Sequence, residues 1–394
     1  MPMNSELKPK IRFKGFTDDW EQRKLSDYAT FRRGSFPQPY GKAEWYDGLE
    51  SMPFVQVADV GNDMKLVNET KQKISKVAQP MSVFIPKQSV IVTLQGTIGR
   101  VAITQYDAYL DRTVLYFDSY KNSINKNFWS YIIKNKFLEE AKSAPGGTIK
   151  TITKEVLSNF DLKMPLKVNE QDKIGELFTN LDNLITLHQR KCDKLVELKK
   201  SLLEKMFPQN NSVIPEIRFK GFTDDWEQRK FENIFNYERP DKYIVNSTEY
   251  LEFGPTPVLT ANKAFILGYT TEKNKYVNSH ESIIFDDFTL DTKFVDFPYM
   301  VKSSAIKILT LKDEKKDNIR FNFELLSNHR FNMLGHARHY ISVVQPEEVF
   351  TTNKQEQDKI GELFTNIDNL ITLHQRKHDK LNKIKQSLLN DMFV

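Results

Sequence analysis

Two stretches of the chain repeat apolar residues every seven positions, which predicts long helices that pack on another helix. They cover residues 170–207 and 356–393 and agree at 30 of 38 positions. The predicted seam of the first helix is Ile174, Leu177, Leu181, Leu184, His188, Leu195, Leu198 and Leu202. The predicted seam of the second helix is Ile360, Leu363, Ile367, Leu370, His374, Leu381, Ile384 and Leu388.

Chain connectivity favours an antiparallel arrangement of these helices. The segment between them starts soon after the first helix ends, and the second helix starts where that segment ends. Because the ends of a compact domain tend to lie close together, the second helix should run back along the first. Two separate core helices remain the alternative. Asn169 is the predicted N-cap of the first helix, and Pro208 is expected to stop it.

A shorter repeat precedes each of two long inserts. Residues 11–24 and 217–230 are identical, whereas residues 25–169 and 231–355 show no resemblance to each other in sequence. Alternating apolar runs and one amphipathic helix in each insert indicate a mixed α/β domain. Strands are predicted at 89–94, 100–104, 113–117, 282–288 and 305–311, and helices at 127–143 and 319–331.

The pattern therefore predicts an α+β protein with a pseudo-twofold internal repeat. Two mixed α/β domains would lie at opposite ends of an antiparallel two-helix coiled-coil spacer. Residues 1–168 form the first predicted domain and 169–207 the first spacer helix. Residues 208–354 form the second domain and 355–394 the second helix. At equivalent seam positions, His188 and His374 are interpreted as polar residues that fix the register of the helices.

Charge and composition narrow the class of protein. The net charge is +5, with 19 basic and 14 acidic residues in 25–168 but 15 and 17 in 231–354. Such a small excess does not predict strong DNA binding by bulk charge alone. The single cysteine, Cys192, excludes a disulfide framework within the chain. No apolar run reaches eighteen residues and the N-terminus shows no apolar signal segment, so we expect a cytoplasmic protein without a membrane span.

Polar and basic residues cluster on glycine- or proline-marked loops, where a chain can approach nucleic acid closely. Arginine suits bidentate contact with guanine, and glutamine suits adenine. In the first insert the candidates are Arg32, Arg33, Gln38, Tyr40, Lys42, Gln95, Thr97, Arg100 and Lys150. In the second insert they are Asn262, Lys263, Arg338, His339 and Tyr340. Solvated surface is the alternative interpretation of each single residue.

Sequence motifs of catalysis do not occur in this chain. It contains no phosphate-binding loop of the G-x-x-x-x-G-K-[ST] type, no G-x-G-x-x-G and no H-E-x-x-H. The acidic residues Asp286, Asp287 and Asp291 with Lys293 are interpreted as a strand end plus surface charge. We therefore expect no catalytic residues and no metal site in this chain.

Taken together, the repeats resemble the specificity subunit of type I restriction–modification systems. The resemblance rests on the duplicated EQDKIGELFTN[LI]DNLITLHQRK helix, the duplicated GFTDDWEQRK lead-in and the QGTIGRVAIT turn at 95–104. The segments before the helices, GGTIKTITKEVLSNFDLKMP and HARHYISVVQP, also match. On the first of these segments, the resemblance adds Thr148 as a candidate contact to double-stranded DNA.

The resemblance implies two target-recognition domains, each reading one half of a split, asymmetric DNA site. The paired helices would set the gap and dock two methyltransferase subunits, which use S-adenosylmethionine. Motor-nuclease subunits would use ATP and Mg²⁺, and this chain would itself bind no cofactor. The competing hypothesis is a helical scaffold that joins two protein ligands without a DNA role.

Overall fold

The computed structural model describes residues 7–143, 152–209, 212–262, 264–277, 281–332 and 338–394. The chain divides into two compact units. Unit 1 consists of residues 1–189 and 375–394, and unit 2 of residues 190–374. None of the described helices has the length and apolar character needed to cross a membrane.

Among its described residues, unit 1 contains ten strands, and all of them lie in the first half of the chain. The strands are β1 (Glu21–Lys24), β2 (Ala29–Arg33), β3 (Met52–Val55), β4 (Gln72–Ile74), β5 (Val83–Ile85), β6 (Val90–Thr93), β7 (Val101–Ile103), β8 (Ala108–Leu110), β9 (Val114–Tyr120) and β10 (Asp161–Met164). The helices are α1 (Leu25–Tyr28), α2 (Lys126–Ser143), α3 (Lys154–Ser158) and the first part of α4 (Val168–Lys205).

The strands described for unit 1 form three sheets. One has the order β2-β9-β6-β7 and is antiparallel throughout, and a second has the order β4-β3-β8-β5 with β3 parallel to β8. The third pairs β1 with β10. Apolar residues on β6 and β9 alternate between two buried clusters, because successive strand side chains point to opposite faces. Helix α2 covers one face through Phe128, Trp129 and Ile133, which are fully buried.

Nine strands are described in unit 2, and the last part of α4 also belongs to this unit. The strands are β11 (Glu227–Lys230), β12 (Phe235–Glu238), β13 (Thr256–Leu259), β14 (Ile266–Thr270), β15 (Ser282–Asp286), β16 (Thr292–Val295), β17 (Met300–Val301), β18 (Ile306–Leu311) and β19 (Glu348–Thr351). The helices are α5 (Phe231–Ile234), α6 (Ile319–Asn328) and α7 (Lys354–Met392), which ends in unit 1. A π-helical segment spans Tyr340–Val344.

The two inserts share one topology, although their sequences differ. In unit 2 the sheet β12-β18-β15-β16 matches β2-β9-β6-β7 of unit 1 strand for strand. The sheet β14-β13-β17 matches β4-β3-β8, including the parallel pair in its middle. Strand β5 has no partner among the described residues of unit 2, whose insert is shorter. The predicted α+β class with two mixed units and two long helices is confirmed.

Both long helices extend across the boundary between the units. In unit 1, Lys385 of α7 pairs with Asp182 of α4, while the Phe178 ring lies 5.6 Å from that of Phe393. Residue numbers rise along one helix as they fall along the other, so the helices run antiparallel there. Unit 2 repeats this arrangement, with Lys199 against Asp368 at 2.9 Å and Phe207 against Phe364 at 6.1 Å.

The N-cap prediction and part of the seam prediction are wrong. Helix α4 begins at Val168, so Asn169 lies in its first turn. The residues Leu184, Leu198, Leu370 and Ile384, assigned to the second row of the seam, are exposed. That row is displaced by one position and consists of Phe178, Ile185, Cys192, Lys199 and Met206, with Phe364, Ile371, His378, Lys385 and Met392 as counterparts. Both rows contain apolar residues, so the heptad alone did not distinguish them.

The remaining seam predictions fall on the packed side of each helix. Ile174, Leu181, Ile360 and Ile367 are buried. The other members are half-buried, namely Leu177, His188, Leu195, Leu202, Leu363, His374, Leu381 and Leu388.

The short repeat fastens each unit to the start of its long helix. Arg12 donates to both carboxylate oxygens of the buried Glu170, at 2.6 and 2.8 Å. Arg218 does the same to Glu356, at 2.9 and 2.8 Å. These charge-assisted bonds raise the pKa of both guanidinium groups. The adjoining strands β1 and β11 pair with the strands that lead into the helices, β10 and β19.

Candidate nucleic-acid interface

Four chain segments of unit 1 meet at one end of the β2-β9-β6-β7 sheet. Leu94 donates from its backbone to Thr113 at 2.8 Å, which joins the end of β6 to the start of β9. The Arg33 guanidinium donates to the Ile152 carbonyl at 2.7 Å, which joins the end of β2 to the segment before α3. Candidate residues that are far apart in sequence are thereby brought onto one surface.

A pocket of about 240 Å³ opens at this meeting point. Its floor is apolar, because Leu94 and Leu115 are almost fully buried. Arg32, Arg33 and Lys154 line its rim. Cations around an apolar recess suit a ligand that has anionic groups beside flat apolar surfaces, as nucleic acid does.

The Gly/Pro-rich loop after β2 passes very close to the neighbouring sheet. Gly34 donates from its backbone to Val114 at 2.9 Å, and Ser35 donates to Leu110 at 3.0 Å. A Cβ atom on Gly34 would overlap the carbonyl groups of Leu110 and Asp111. Only glycine permits this approach, which fixes the direction in which the loop leaves the sheet.

Between β6 and β7, the glycine-containing turn is held from its base. The Thr93 hydroxyl accepts the Arg100 backbone N–H at 3.0 Å and donates to the Thr97 carbonyl at 2.5 Å. Gly96 and Gly99 have positive φ angles of 64° and 83°, which glycine adopts without strain. The turn therefore presents the exposed Gln95 and Thr97 side chains on a fixed backbone.

Several candidate side chains already have partners within unit 1. Arg100 is half-buried and donates to the Val60 carbonyl at 3.2 Å. Arg32 donates to the Tyr116 hydroxyl at 2.7 Å, and its guanidinium lies 5.2 Å from the centre of that ring. Such contacts orient the two cations, while their DNA contacts stay predictions.

Next to Tyr40 lies Arg112, which was not among the candidates predicted from the sequence. The Tyr40 hydroxyl donates to the buried Asp111, and the Arg112 guanidinium lies 5.1 Å from the centre of the Tyr40 ring. Burial and the Asp111 carboxylate raise the pKa of Tyr40, so the hydroxyl stays protonated. Arg112 is exposed and adjoins Thr113, which bonds Leu94. A lone arginine after a strand carries no sequence signal for this position.

Some candidate DNA contacts are not among the residues that meet at this end of the sheet. Lys42 pairs with Glu44 and lies 5.0 Å from the Trp45 ring centre. Gln38 and Asn262 are exposed, and none of the hydrogen bonds found among the described residues involves their side chains. Thr148, Lys150 and Lys263 lie outside the described residues.

The matching position in unit 2 is built from different chemistry. Asp287 donates from its backbone to Ala305 at 2.9 Å, as Leu94 does to Thr113 in unit 1. The strand registers make Lys307 the counterpart of Leu115. The Asp287 carboxylate and the Lys307 ammonium form an ion pair at 2.9 Å, with both side chains almost fully buried. The interpretation of Asp287 as surface charge is therefore wrong.

Two candidate DNA contacts, His339 and Tyr340, are wrong because both residues are buried against Asp287 of this ion pair. His339 is fully buried, and its Nδ1 lies 3.0 Å from the Asp287 carbonyl. Tyr340 is fully buried too, and its backbone N–H donates to the Asp287 carboxylate at 2.8 Å. Both residues hold the π-helical segment against the sheet and cannot reach DNA from there. Arg338, the residue just before them, is exposed and remains a candidate.

No group of three or more histidine, cysteine, aspartate or glutamate side chains placed to hold a metal ion occurs in the described parts of either unit.

Comparison with known proteins gives the family of the chain. The model of the type I restriction modification DNA specificity domain matches twice, at residues 17–197 and 223–383. The chain is 41% identical over 113 residues to the EcoR124I/EcoR124II specificity subunit of Escherichia coli, an alignment covering 28% of each protein. It is 22% identical over 419 aligned positions to the MjaVIII specificity subunit of Methanocaldococcus jannaschii, covering 95% of this chain and 92% of that one.

A solved structure shows the same fold. The type I restriction–modification S subunit from M. genitalium superposes with a TM-score of 0.73 at 15% identity, over 98% of this chain and 99% of that one. The two family matches correspond to the two inserts with their following helices. The matched family is named for DNA specificity, which supports DNA sequence recognition over the scaffold hypothesis. The chain belongs to the type I restriction–modification DNA specificity family.

Proposed function

We propose that this chain reads a split, asymmetric DNA sequence, with unit 1 recognising one half and unit 2 the other. The observation that carries the proposal is a shared topology with different side chains at the equivalent sheet end, such as Leu94 and Leu115 against Asp287 and Lys307. Two copies of one fold place their reading surfaces on the same elements. Different residues on those surfaces select different bases.

The long helices are proposed to set the gap between the two half-sites. Each runs without interruption through 38 or 39 residues, which is about 57 Å at 1.5 Å per residue. Cross-helix ion pairs at equivalent places, Asp182 with Lys385 and Asp368 with Lys199, resist sliding of one helix along the other. Lengthening both helices by four residues should widen the gap and leave both half-sites unchanged.

Two methyltransferase subunits are the proposed partners of the helices. Unit 1 leaves Leu184, Leu187 and Ile384 exposed, each by 39–45%. Unit 2 leaves the repeat-equivalent Leu370, Leu373 and Leu198 exposed, each by 43–47%. Apolar side chains repeated at matched positions provide two similar docking faces, as two copies of one partner need.

A matched pair of variants tests this docking. Leu184→Asp with Leu187→Asp should reduce the number of bound methyltransferase subunits from two to one, and adding Leu370→Asp with Leu373→Asp should abolish binding. Val196→Asp is the control, because Val196 is 50% exposed on the same helix but Asn382 stands at its repeat equivalent. Mass measurement of the purified complexes gives the subunit number. Loss of binding in the control variant would contradict specific docking.

In the larger complex, the methyltransferase subunits would bind S-adenosylmethionine, and motor-nuclease subunits would bind ATP and Mg²⁺. This chain would contribute recognition only and act with its partners in the cytoplasm.

Methylation mapping tests the proposed function as a whole. The chain is co-expressed with its methyltransferase subunit in a methylation-free host, and the DNA is sequenced by a modification-sensitive long-read method. We expect a two-part motif with methyladenine on both strands. Absence of modification, when the same partner is active with another specificity subunit, would contradict the proposal.

A further inference from the structure

We infer that the turn of residues 288–291, between β15 and β16, is the base-reading element of unit 2. The inference rests on the proposed function and specifies where the second half-site is read. The sequence analysis assigned Asp291 of this turn to surface charge, because the turn lacks the glycines and cations that mark its counterpart at 95–100. Its place in the fold is the same, as the hydrogen bonds on both sides of it show.

The strand register makes the two turns equivalent. Thr93 pairs with Val114 at the end of β6, and Asp286 pairs with Ile306 at the end of β15. The next residue in each chain segment then bonds the loop before the neighbouring strand. Each turn therefore projects from the same end of its sheet, beyond the same pair of strands.

Asp286 has the holding role that Thr93 has in unit 1. Its carboxylate accepts the backbone N–H groups of Phe288 and Thr289, at 2.9 and 3.0 Å. Its backbone is bonded to Asp291 at 2.9 Å and to Leu290 at 3.0 Å. A turn fixed by four such bonds loses little conformational entropy when it binds a ligand.

Asp287, the acidic member of the buried ion pair, holds the segment that begins at Arg338 beside this turn. The Asp287 carbonyl accepts the His339 backbone N–H at 2.9 Å, and its carboxylate accepts the Tyr340 backbone N–H at 2.8 Å. Arg338 is exposed and directly precedes His339, so it lies near Asp287, the residue just before the turn. The turn itself contains no cation, so Arg338 is assigned the phosphate contact that positions it.

The exposed side chains of the turn have the chemistry of base recognition. Phe288 is 42% exposed although it is large and apolar, and a phenyl ring can contact the methyl group of thymine. Thr289 and Asp291 are exposed and bonded to each other at 2.9 Å. A carboxylate in the major groove accepts a hydrogen bond from the amino group of cytosine, and threonine reads either kind of edge. An acidic reading turn agrees with the slight negative charge of this insert.

Methylation mapping of turn variants tests the inference. Phe288→Ala and Asp291→Asn are each co-expressed with the methyltransferase subunit. We expect relaxed or altered base preference in the second half-site only, with modification of the native site falling about tenfold to a hundredfold. Retention of the first half-site and of the gap shows in the same experiment that the variant chain is folded and assembled.

Two further variants make the outcome specific. Phe253→Ala removes the same ring from a position that is 79% exposed in unit 2 but outside the turn, and it should leave the motif unchanged. Gln95→Ala should alter the first half-site and spare the second.

Three outcomes would overturn the inference. One is an unchanged motif in both turn variants, and another is an equal effect of Phe253→Ala. In either case the split motif of the native chain would still support the proposed function. The third is a native chain that gives no split motif, which would overturn both.

Discussion

At equivalent positions of their equivalent four-stranded sheets, unit 1 has two apolar side chains and unit 2 has two charged ones. Unit 1 has Leu94 and Leu115 there, and they form the apolar floor of an open pocket. In unit 2, Asp287 and Lys307 form a buried ion pair that binds the π-helical segment. The strand order around the two positions is identical. Topology therefore fixes where the proposed reading surface lies, while the residues at the strand ends determine which groups that surface contacts.

The contrast extends to what each unit needs for stability. An apolar floor is stabilised by its own burial, whereas a buried ion pair depends on both members being present. We expect unit 2 to be the more sensitive of the two to a single substitution at this point.

The largest expected effect comes from breaking the ion pair. Lys307→Met leaves the Asp287 carboxylate buried without its cation and should lower the free energy of unfolding of unit 2 by about 3–5 kcal/mol. Hydrogen exchange of the β15 and β18 amides measures this loss, with β6 and β9 of unit 1 as the internal control. Unchanged exchange in β15 would contradict the structural role of the pair.

Placing the two leucines of unit 1 at the equivalent positions of unit 2 tests whether the ion pair can be replaced by apolar packing. The double variant Asp287→Leu with Lys307→Leu removes both charges and should recover part of the loss. A deficit of about 1–3 kcal/mol should remain, because the Tyr340 backbone N–H loses its acceptor. If the double variant were as unstable as the single one, the two sites would not be interchangeable in packing.

Loss of the Arg12–Glu170 or the Arg218–Glu356 pair should lower the free energy of unfolding by a similar amount in each unit. Arg12→Gln and Arg218→Gln each remove a bidentate bond to a buried glutamate, and each should cost about 1.5–3 kcal/mol in its own unit. The measurement is again unit-resolved hydrogen exchange. Costs that differ by more than about 1 kcal/mol would show that the identical repeats do not have identical roles.

A smaller effect is expected from two exposed arginines, one near the equivalent sheet end of each unit. Arg112→Ala in unit 1 and Arg338→Ala in unit 2 should each weaken DNA binding of the assembled complex by about 1 kcal/mol. The slope of log affinity against log salt should fall by about 1 in each case. Fluorescence anisotropy over a salt series measures both quantities. An unchanged slope would show that the arginine does not contact a phosphate.

The smallest effect concerns the anchored tyrosine. Tyr40→Phe removes one hydrogen bond to Asp111 and should cost about 0.5–1 kcal/mol. The cost is low because Asp111 keeps the backbone N–H of Thr113, at 2.9 Å, and its hydroxyl as donors. Denaturant unfolding measures it, with Tyr46→Phe as a control at a neighbouring ring. A loss above about 2 kcal/mol would show that Tyr40 is essential to the loop.

Local patterns predicted the elements well and their contacts less well. Strands at 89–94, 113–117 and 282–288 and the helix at 319–331 are confirmed within a few residues. The second seam row was misplaced because Leu184 and Leu198 are as apolar as the residues that are buried beside them. Which side of a helix is covered depends on the angle at which its partner packs, and periodicity does not contain that angle.

The candidate site shows the same division. Gln95 and Thr97 were predicted because glycines mark their turn, and Arg338 because it adjoins histidines and a tyrosine. His339 and Tyr340 were assigned to DNA, yet both are buried against Asp287, a residue more than fifty positions away. No local signal in the sequence pointed to Arg112 or to the proposed reading turn at 288–291.

Residue order was sufficient to predict the duplicated frame, the long helices, the mixed class of the inserts and the family, because repeats and periodicities can be identified along the chain. Packing in three dimensions revealed that the two unlike inserts share one topology and that Leu94 and Asp287 occupy equivalent positions. It also decided which polar residues face solvent. These facts depend on hydrogen bonds and packing between distant segments, which many different sequences satisfy equally well.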